Sequence, residues 1–141
     1  MILIVNGPNL SQLGEREPEI YGTQSLDEII EGARTQAEDL RVFTSESEGD
    51  LVTRLHAARS DGTTAVIINP GALGHYSYAL RDALALVTLP KVEVHISQTA
   101  AREEFRHTSV ISAVVDVTIT GAGGYGYQLA VMAAQHLLEG R

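Results

Sequence analysis

The sequence predicts a single open α/β domain in which helices cover both faces of a parallel sheet. Three features of the 141 residues lead to this prediction: short apolar runs typical of buried strands, amphipathic helical patterns between them, and the lack of any internal repeat or inter-domain linker. A helix that joins two parallel strands forms a right-handed crossover, so the alternation favours an open sheet covered on both sides. One domain over residues 1–141 is of ordinary size.

Five apolar or alternating runs are expected to be strands. They lie at residues 2–5, 41–45, 65–68, 91–96 and 114–119. The runs at 2–5 and 65–68 are wholly apolar, as strands buried on both faces are. For five strands the flavodoxin-like order is the expected one, and ligands on such sheets bind beyond the carboxyl ends of the strands. Residues that follow each strand are therefore the first candidates for a functional site.

Five segments outside these strands have helical patterns. They lie at residues 25–40, 50–61, 76–86, 100–105 and 127–138. Ser25 and Glu28 have the spacing of a capping box, and an apolar stripe with helical spacing continues from there to Leu40. Asp50 is the expected N-cap of the second helix, which should end at Gly62. These segments supply the crossovers that parallel strands require.

Composition excludes several classes of function. The formal charge of −8 argues against binding to nucleic acid or to an anionic membrane surface, both of which require a basic face. The chain has no cysteine, which excludes disulfides and thiolate metal sites, and no long apolar segment at its start. We therefore expect a cytoplasmic protein, in which an anionic ligand would be attracted by a local group of arginines and backbone N–H groups.

The longest irregular stretch, residues 6–22, is the first candidate for a binding loop. Gly7 and Pro8 end the first strand, and further glycines and a proline interrupt the rest. Connections in compact domains are usually shorter, and one of this length is more often a functional lid. It carries two residues with useful chemistry, Arg16 and Tyr21. The alternative, which periodicity alone leaves open, is a disordered surface loop whose tyrosine packs locally.

The glycine-rich stretch at residues 121–126 matches the G-x-G-x-x-G pattern between a strand and a helix. In dinucleotide-binding domains this pattern belongs to the first βαβ unit and is followed by an acidic residue about 20 residues later. Here it lies in the last such unit, so we interpret the glycines as a tight turn that lets the last helix pack closely. A phosphoryl-acceptor receiver domain is also excluded, because it needs a strand-end carboxylate where this chain has Asn69.

Residues 91–97 should place Lys91, Glu93, His95 and Ser97 on one side of a strand and apolar side chains on the other. Glu93 could then orient His95, directly or through water, as a general acid requires. The alternative is an edge strand with one wet face. A zinc site is not expected, because none of the five histidines pairs with another at helical spacing and the chain has no cysteine.

Two arginines follow this strand on a predicted short helix. Arg102 and Arg106 are four residues apart and so should share one helical face. A solvated charged face is the default interpretation, since two glutamates lie between them, and only one of the two arginines is expected to reach the site. Ser97, just before this helix, offers a hydroxyl and backbone N–H groups to a carboxylate.

Five motifs together resemble one known family along nearly the whole chain, the type II 3-dehydroquinate dehydratases. They are NGPNL at 6–10, GEREPEIYG at 14–22, ALRDAL at 79–84, EVHIS at 93–97 and REEFR at 102–106, in that family's order. The resemblance implies a flavodoxin-like subunit that converts 3-dehydroquinate to 3-dehydroshikimate by anti elimination of water through an enolate, with no cofactor and no metal. It also implies a homo-oligomer, a dodecamer of four trimers, in the shikimate or quinate pathway.

The same resemblance implies roles for individual residues. Tyr21 would be the base that takes the C2 proton, with Arg16 beside it. Asn9 would hold the water that stabilises the enolate oxygen, and His95, oriented by Glu93, would protonate the departing C1 hydroxyl. The implied substrate-binding residues are Asn69, Ile96 and Ser97 for the carboxylate, His75 and Arg106 for the ring hydroxyls, and Asp82, which would enter a neighbouring subunit's site.

Elementary chemistry agrees with these roles. A free tyrosine is only about 0.1% ionised at pH 7, so a tyrosine base needs a fixed positive charge beside it, and Arg16 supplies one. The other route to this product uses a lysine Schiff base on a different fold. Lys91, the only lysine, starts a strand at the end of the sheet away from the site, which excludes that route. A catalytically inactive binder of a hydroxylated acid, or a flavodoxin-like mononucleotide binder, stays open as an alternative.

Overall fold

A five-stranded parallel sheet forms the centre of the protein. The computed structural model describes residues 1–140. Its strands are β1 (Ile2–Asn6), β2 (Leu40–Thr44), β3 (Ala65–Asn69), β4 (Lys91–His95) and β5 (Val117–Thr120). They lie in the order β2-β1-β3-β4-β5, and every neighbouring pair is parallel. This is the flavodoxin-like order, so the predicted fold class is confirmed.

Helices cover both faces of this sheet. They are α1 (Pro18–Tyr21), α2 (Leu26–Arg34), α3 (Glu48–Ala58), α4 (Tyr78–Leu86) and α5 (Tyr125–Glu139). Alternate strand residues point to opposite faces. Ile4 and Ile67 belong to the core under α2 and α5. Leu3 and Ile68 belong to the core under α3 and α4. The wholly apolar runs of β1 and β3 therefore serve two cores at once, as their composition predicted.

The ends of β1 and β3 meet where the strand order reverses. Asn6 and Asn69, the last residues of the two strands, are partners in the parallel register. The chain leaves β1 toward β2 on one side, whereas β3 lies on the other. Crevices form at such switch points, and the segments after β1, β3 and β4 all begin at this edge of the sheet.

Helix boundaries differ from the expected ones where an apolar residue suits either a helix or a strand. The capping box of Ser25 and Glu28 is present, but α2 ends at Arg34 and Leu40 begins β2 instead of closing the helix. Leu40 is buried, so its apolar character fits either element. The N-cap of α3 is Ser47, whose hydroxyl accepts the backbone N–H of Asp50, so the expected cap at Asp50 is wrong.

The expected helix at residues 100–105 is also wrong. Two short 3-10 turns, Thr99–Ala101 and Glu104–His107, replace it, and the backbone of Arg102 between them is extended. A third such turn, Ser112–Val114, delays β5, which begins at Val117 instead of residue 114. These turns leave Arg102 and Arg106 on no common helical face.

The glycines at 121–126 form the tight turn expected between β5 and α5. A Cβ atom on Gly124 would lie 2.8 Å from Cγ1 of Ile29, and one on Gly126 would lie 3.2 Å from Cγ2 of Val94. The small residues thus let α5 approach α2 and the sheet closely, which confirms the packing interpretation. Within residues 1–140, no helix is long and apolar enough to cross a membrane. The cytoplasmic location stays a prediction.

Candidate active site

A cavity of about 120 Å³ lies beyond the carboxyl ends of β1, β3 and β4. Nine of the predicted site residues line it: Asn9, Arg16, Tyr21, Asn69, His75, His95, Ile96, Ser97 and Arg106. Two predicted site residues, Glu93 and Asp82, do not. The cavity also includes Arg102, which the sequence analysis did not select.

Two glycines let the loops after β1 and β3 meet at the cavity floor. A Cβ atom on Gly7 would lie 2.5 Å from the carbonyl oxygen of Pro70. Gly71 has a φ of 59°, and a Cβ there would lie 2.8 Å from the carbonyl oxygen of Pro8. Contacts this short would force the two backbones apart, so only glycine allows both loops to keep their positions.

The Tyr21 hydroxyl lies between two guanidinium groups. Nη2 of Arg16 donates to it at 3.0 Å, and Nη1 of Arg102 donates to it at 2.8 Å. The guanidinium carbon of Arg16 also lies 4.0 Å from the centre of the tyrosine ring. Tyr21 is only 8% exposed. The segment that carries it packs on the core, so the alternative of a disordered surface loop is wrong.

Arg102 connects Tyr21 to Ser97, just beyond the end of β4. Its Nη1 also donates to the Ser97 hydroxyl at 3.0 Å, and its side chain is 11% exposed. The expectation that only one of Arg102 and Arg106 reaches the site is wrong, because both line the cavity. The missed signal was Arg102, the first arginine of the REEFR motif. The sequence analysis assumed a continuous helix in which only one of the two arginines would face the cavity. The backbone at Arg102 is extended instead, so both side chains can reach it.

A buried carboxylate lies directly behind His95. Nε2 of His95 is 2.5 Å from Oε2 of Glu93, and Glu93 is fully buried. β4 lies between β3 and β5, so the edge-strand alternative is wrong. Burial alone would raise the pKa of Glu93, but hydrogen bonds from His95, Ser112 and Ser109 outweigh it and hold the pKa of this carboxyl below its usual value. The site therefore contains a histidine paired with an ionised carboxylate.

His75 lies next to His95 on the same side of the cavity. Its ring stacks on that of His95 with the centroids 6.3 Å apart, and Phe105 contacts it edge-on. Nδ1 of His75 lies 2.8 Å from the carbonyl oxygen of Thr108. Arg106, on the same side, donates from Nε to the Glu103 carboxylate at 2.9 Å. Both side chains are thus held in place at the rim of the cavity.

Asn69 is oriented by a buried tyrosine that the sequence analysis missed. The Tyr127 hydroxyl donates to Oδ1 of Asn6 at 2.6 Å and accepts from Nδ2 of Asn69 at 2.9 Å. Oδ1 of Asn69 accepts the backbone N–H of Gly71 at 3.2 Å. Burial raises the pKa of Tyr127 far above that of a free tyrosine, so its hydroxyl keeps its proton. The second N–H of the Asn69 amide is left to face the cavity.

Residues 1–135 match the model of one protein family, Dehydroquinase class II. The chain belongs to this family. A 3-dehydroquinate dehydratase from Bacillus licheniformis is 50% identical over 139 residues, with 92% of each chain covered. A catabolic 3-dehydroquinase from Botryotinia fuckeliana is 51% identical over 136 residues, covering 92% of this chain and 88% of the relative. The resemblance drawn from the five motifs is confirmed.

A solved structure agrees with the fold and its extent. The crystal structure of a type II dehydroquinase from Butyrivibrio crossotus superposes with a TM-score of 0.93 at 41% sequence identity. The superposition covers 95% of this chain and 96% of that one. Structural similarity of this degree extends over the sheet and its helices, so this chain shares its architecture with that type II dehydroquinase.

Asn9 is fixed at the start of the loop that follows β1. Its backbone is left-handed, with a φ of 72°, which asparagine tolerates better than most residues. Its N–H donates to Oε2 of Glu46 at 2.8 Å, and the Ser11 hydroxyl donates to Oε1 of the same carboxylate at 2.9 Å. Glu46 lies on the loop after β2, 37 residues away along the chain, and no local sequence pattern indicated it.

Asp82 and Lys91, both considered in the sequence analysis, lie away from the cavity. Asp82 is exposed on α4 and does not line the cavity. Lys91 begins β4, at the opposite end of that strand from His95, and its Nζ donates to the carbonyl oxygen of Leu84 at 2.9 Å. Among residues 1–140, no group of three His, Asp or Glu side chains could hold a metal ion.

Proposed function

We propose that the chain removes water from 3-dehydroquinate to give 3-dehydroshikimate, by anti elimination through an enolate. Tyr21 is the base and His95 the general acid. The observation that carries this proposal is the position of the Tyr21 hydroxyl between the guanidinium groups of Arg16 and Arg102. The family match supports the same reaction. So does a relative, 50% identical in sequence, that is named 3-dehydroquinate dehydratase.

The first step is proton abstraction from C2 by the Tyr21 phenolate. Arg16 and Arg102 each donate a hydrogen bond to the tyrosine oxygen, and both carry a permanent positive charge. These two donors hold the tyrosine oxygen in place at the cavity, where it can take the C2 proton. The electron pair of the broken C–H bond moves to the C3 carbonyl, and the enolate oxygen forms. A water held by Asn9 stabilises that oxygen.

The second step is loss of the C1 hydroxyl as water. His95 gives a proton to this hydroxyl while the enolate collapses to the conjugated enone. Glu93 keeps a proton on Nε2 of His95, which leaves Nδ1 as the nitrogen that passes its proton to the leaving group. At the end of a turnover Tyr21 has gained one proton and His95 has lost one, so exchange with solvent restores both. The scheme requires no cofactor.

The rest of the cavity wall binds the substrate. The free N–H of Asn69, with Ile96 and Ser97 at the end of β4, faces the carboxylate. His75 and Arg106 hold the ring hydroxyls. Base and acid come from different walls, since Tyr21 lies on the segment after β1 and His95 on β4. Such a division suits an elimination in which the proton and the hydroxyl leave from opposite faces of the ring.

The appearance of product tests the proposed function. Adding 3-dehydroquinate to the purified protein should produce the ultraviolet absorbance of a conjugated enone at a rate proportional to protein concentration. An inactive binder would instead show a higher Tm with a product-like carboxylic acid and no absorbance change. A mononucleotide binder would co-purify with an ultraviolet-absorbing cofactor. Either outcome would replace the dehydratase assignment.

We also propose that residues 10–22 act as a lid, which limited proteolysis tests. Gly14 and Gly22 have positive φ angles, and Glu17, next to Arg16, has the strained φ of 27°. Trypsin should therefore cut after Arg16 in the free protein, and a saturating substrate-like acid should slow that cut by giving Arg16 and Tyr21 new partners. Cleavage after Arg59, exposed at the end of α3, is the internal control. Equal slowing at both sites, or at neither, would argue against a lid.

A dodecamer of four trimers is the proposed assembly. Asp82 lies outside its own cavity, on a helix that exposes large apolar side chains: Tyr78 is 71% exposed and Leu86 is 52% exposed. Tyr76, just before this helix, is 62% exposed. Large apolar side chains exposed on one helix and just before it suit a contact with a neighbouring chain. Native mass spectrometry should give a mass twelve times that of one 15.1 kDa chain, whereas a monomer would contradict the assembly and the role of Asp82 in a neighbour's site.

A further inference from the structure

Each oxygen of the buried Glu93 carboxylate has two possible donors within hydrogen-bond distance. Oε2 accepts from Nε2 of His95 at 2.5 Å and from the Ser109 hydroxyl at 3.0 Å. Oε1 accepts from the Ser112 hydroxyl at 2.5 Å and from the Thr118 hydroxyl at 3.3 Å. The three hydroxyl groups, which we call the hydroxyl clamp (Ser109, Ser112 and Thr118), come from the segment after Thr108 and from β5. None of them lines the cavity that contains Tyr21.

The direction of one clamp hydrogen is set by the backbone. The Ser109 oxygen accepts the N–H groups of Ile111 at 3.3 Å and Ser112 at 3.1 Å. A hydroxyl has one hydrogen and two lone pairs, so the only hydrogen of Ser109 is left to point at Glu93. A proton on Oε2 of Glu93 would meet this Ser109 hydrogen and make a clash between two hydrogens. The Ser109 contact is therefore satisfied only when Oε2 carries no proton.

We propose that Ser109, Ser112 and Thr118 are positioning residues for the acid step, because they hold Glu93 as a carboxylate aimed at Nε2 of His95. This inference rests on the proposed function. A carboxylate at Nε2 keeps a proton on that nitrogen and fixes the plane of the imidazole ring. Nδ1 then remains the nitrogen that serves the leaving hydroxyl. The clamp acts through Glu93 and His95 and does not touch substrate.

The burial of Glu93 makes the clamp necessary. Burial raises the pKa of a carboxyl group, and in this protein the hydrogen bonds to Glu93 reverse that effect. If one clamp hydroxyl is removed, the effect of burial is opposed by fewer hydrogen bonds. The pKa of Glu93 then rises, and the carboxyl takes up a proton at a higher pH. A protonated Glu93 no longer requires a proton on Nε2 of His95, so the orientation of the general acid would be lost in the same pH range.

A second cavity, of about 270 Å³, lies beside the clamp and borders the Glu93–His95 pair. Thr118, Ser112 and Thr120 line it together with Glu93 and His95. The other titratable or charged side chains on its wall are His75, Arg106 and His107. A test must therefore change a hydroxyl and leave these charges in place, which substitutions among serine, threonine, alanine and valine do.

Ser112→Ala is the main test, with Ser112→Thr as its rescue. The alanine variant should lower kcat about tenfold at neutral pH, because one hydrogen bond that holds Glu93 against His95 is lost. The acidic limb of its kcat against pH profile should move to higher pH, because Glu93 is protonated earlier. Ser112→Thr keeps the hydroxyl and should restore both the rate and the limb. A lowered kcat with an unmoved acidic limb, or no rescue by threonine, would overturn the proposal.

Two β5 threonines give a matched pair on one strand. Thr118 donates to Glu93, whereas Thr120 lines the same cavity but donates to Gln98 at 2.6 Å. Thr118→Val should move the acidic limb in the same direction as Ser112→Ala, and Thr120→Val should leave it unmoved. Equal profiles for the two valine variants would contradict the clamp. This pair keeps the proposal testable if Ser112→Ala fails to fold.

Thermal unfolding tests the clamp without any assay of activity. The pKa of Glu93 is lower in the folded protein than in the unfolded chain, so its ionisation stabilises the fold above the unfolded value and this stabilisation is lost as the pH falls. The Tm deficit of Ser112→Ala relative to Ser112→Thr should therefore be larger at pH 7 than near pH 4. A deficit that does not change with pH would mean a merely structural role. If the clamp is present but the proposed reaction is wrong, the pH-dependent Tm deficit is still observed although the protein shows no turnover of 3-dehydroquinate.

Discussion

Tyr21→Phe should lower kcat by several orders of magnitude while a product-like carboxylic acid still binds. The substitution removes one oxygen, the one that accepts from Arg16 and Arg102, and leaves both arginines at the cavity. Loss of a positioned base costs at least about 10²–10⁴-fold in rate. Steady-state kinetics gives kcat, and titration calorimetry gives the affinity for the acid.

Tyr125→Phe is the matched control for this substitution. Tyr125 opens α5, is 55% exposed, and does not line the cavity, so its variant should keep the wild-type rate. Retention of a tenth of the wild-type rate by Tyr21→Phe would remove Tyr21 from the mechanism. Loss of ligand binding along with the rate would mean that the tyrosine holds the substrate instead of reacting with it.

His95→Ala should have the second large effect, a loss of about 10²–10⁴-fold in kcat, because no other group on β4 can protonate the leaving hydroxyl. Lys91→Ala, on the same strand, is its control and should leave kcat nearly unchanged. The Lys91 side chain bonds to the carbonyl oxygen of Leu84 at the far end of the strand. Kinetics of the two variants, measured side by side, gives the comparison.

Borohydride separates this scheme from the lysine route. A Schiff base between substrate and Lys91 would be reduced to a permanent adduct, so borohydride with substrate would inactivate the enzyme. The scheme through Tyr21 and His95 forms no imine, and activity should survive the treatment. A substrate adduct found on Lys91 by mass spectrometry would overturn the cofactor-free enolate scheme.

The fold could be predicted because its signals are local and repeated. Apolar runs at 2–5 and 65–68 indicated strands with two buried faces, and both are found in the middle of the sheet. The pairing of Glu93 with His95 could also be predicted, since residues two apart on a strand share a side. Leu40 was placed in the wrong element because a buried leucine suits the end of a helix and the start of a strand equally well.

The parts of the site that escaped prediction depend on contacts between distant segments. Arg102 meets Tyr21 across 81 residues of sequence, and Tyr127 meets Asn6 across 121. The hydroxyl clamp on Glu93 likewise joins β4 to β5 and to the segment after Thr108, which has no periodic pattern. Helical spacing between Arg102 and Arg106 was a misleading local signal, because the chain there follows two short turns with an extended residue between them.

Stereospecific deuterium labelling tests the central claim, an anti elimination by a base and an acid on different walls of the cavity, most directly. Two samples of 3-dehydroquinate, each with deuterium at one of the two C2 positions, are converted to product, and the label in the product is measured by mass spectrometry. We predict that the deuterium on the face opposite the C1 hydroxyl is lost to solvent and that the deuterium on the same face is retained. Loss of the deuterium on the same face as the hydroxyl would contradict the account, because base and acid would then act from one side of the ring.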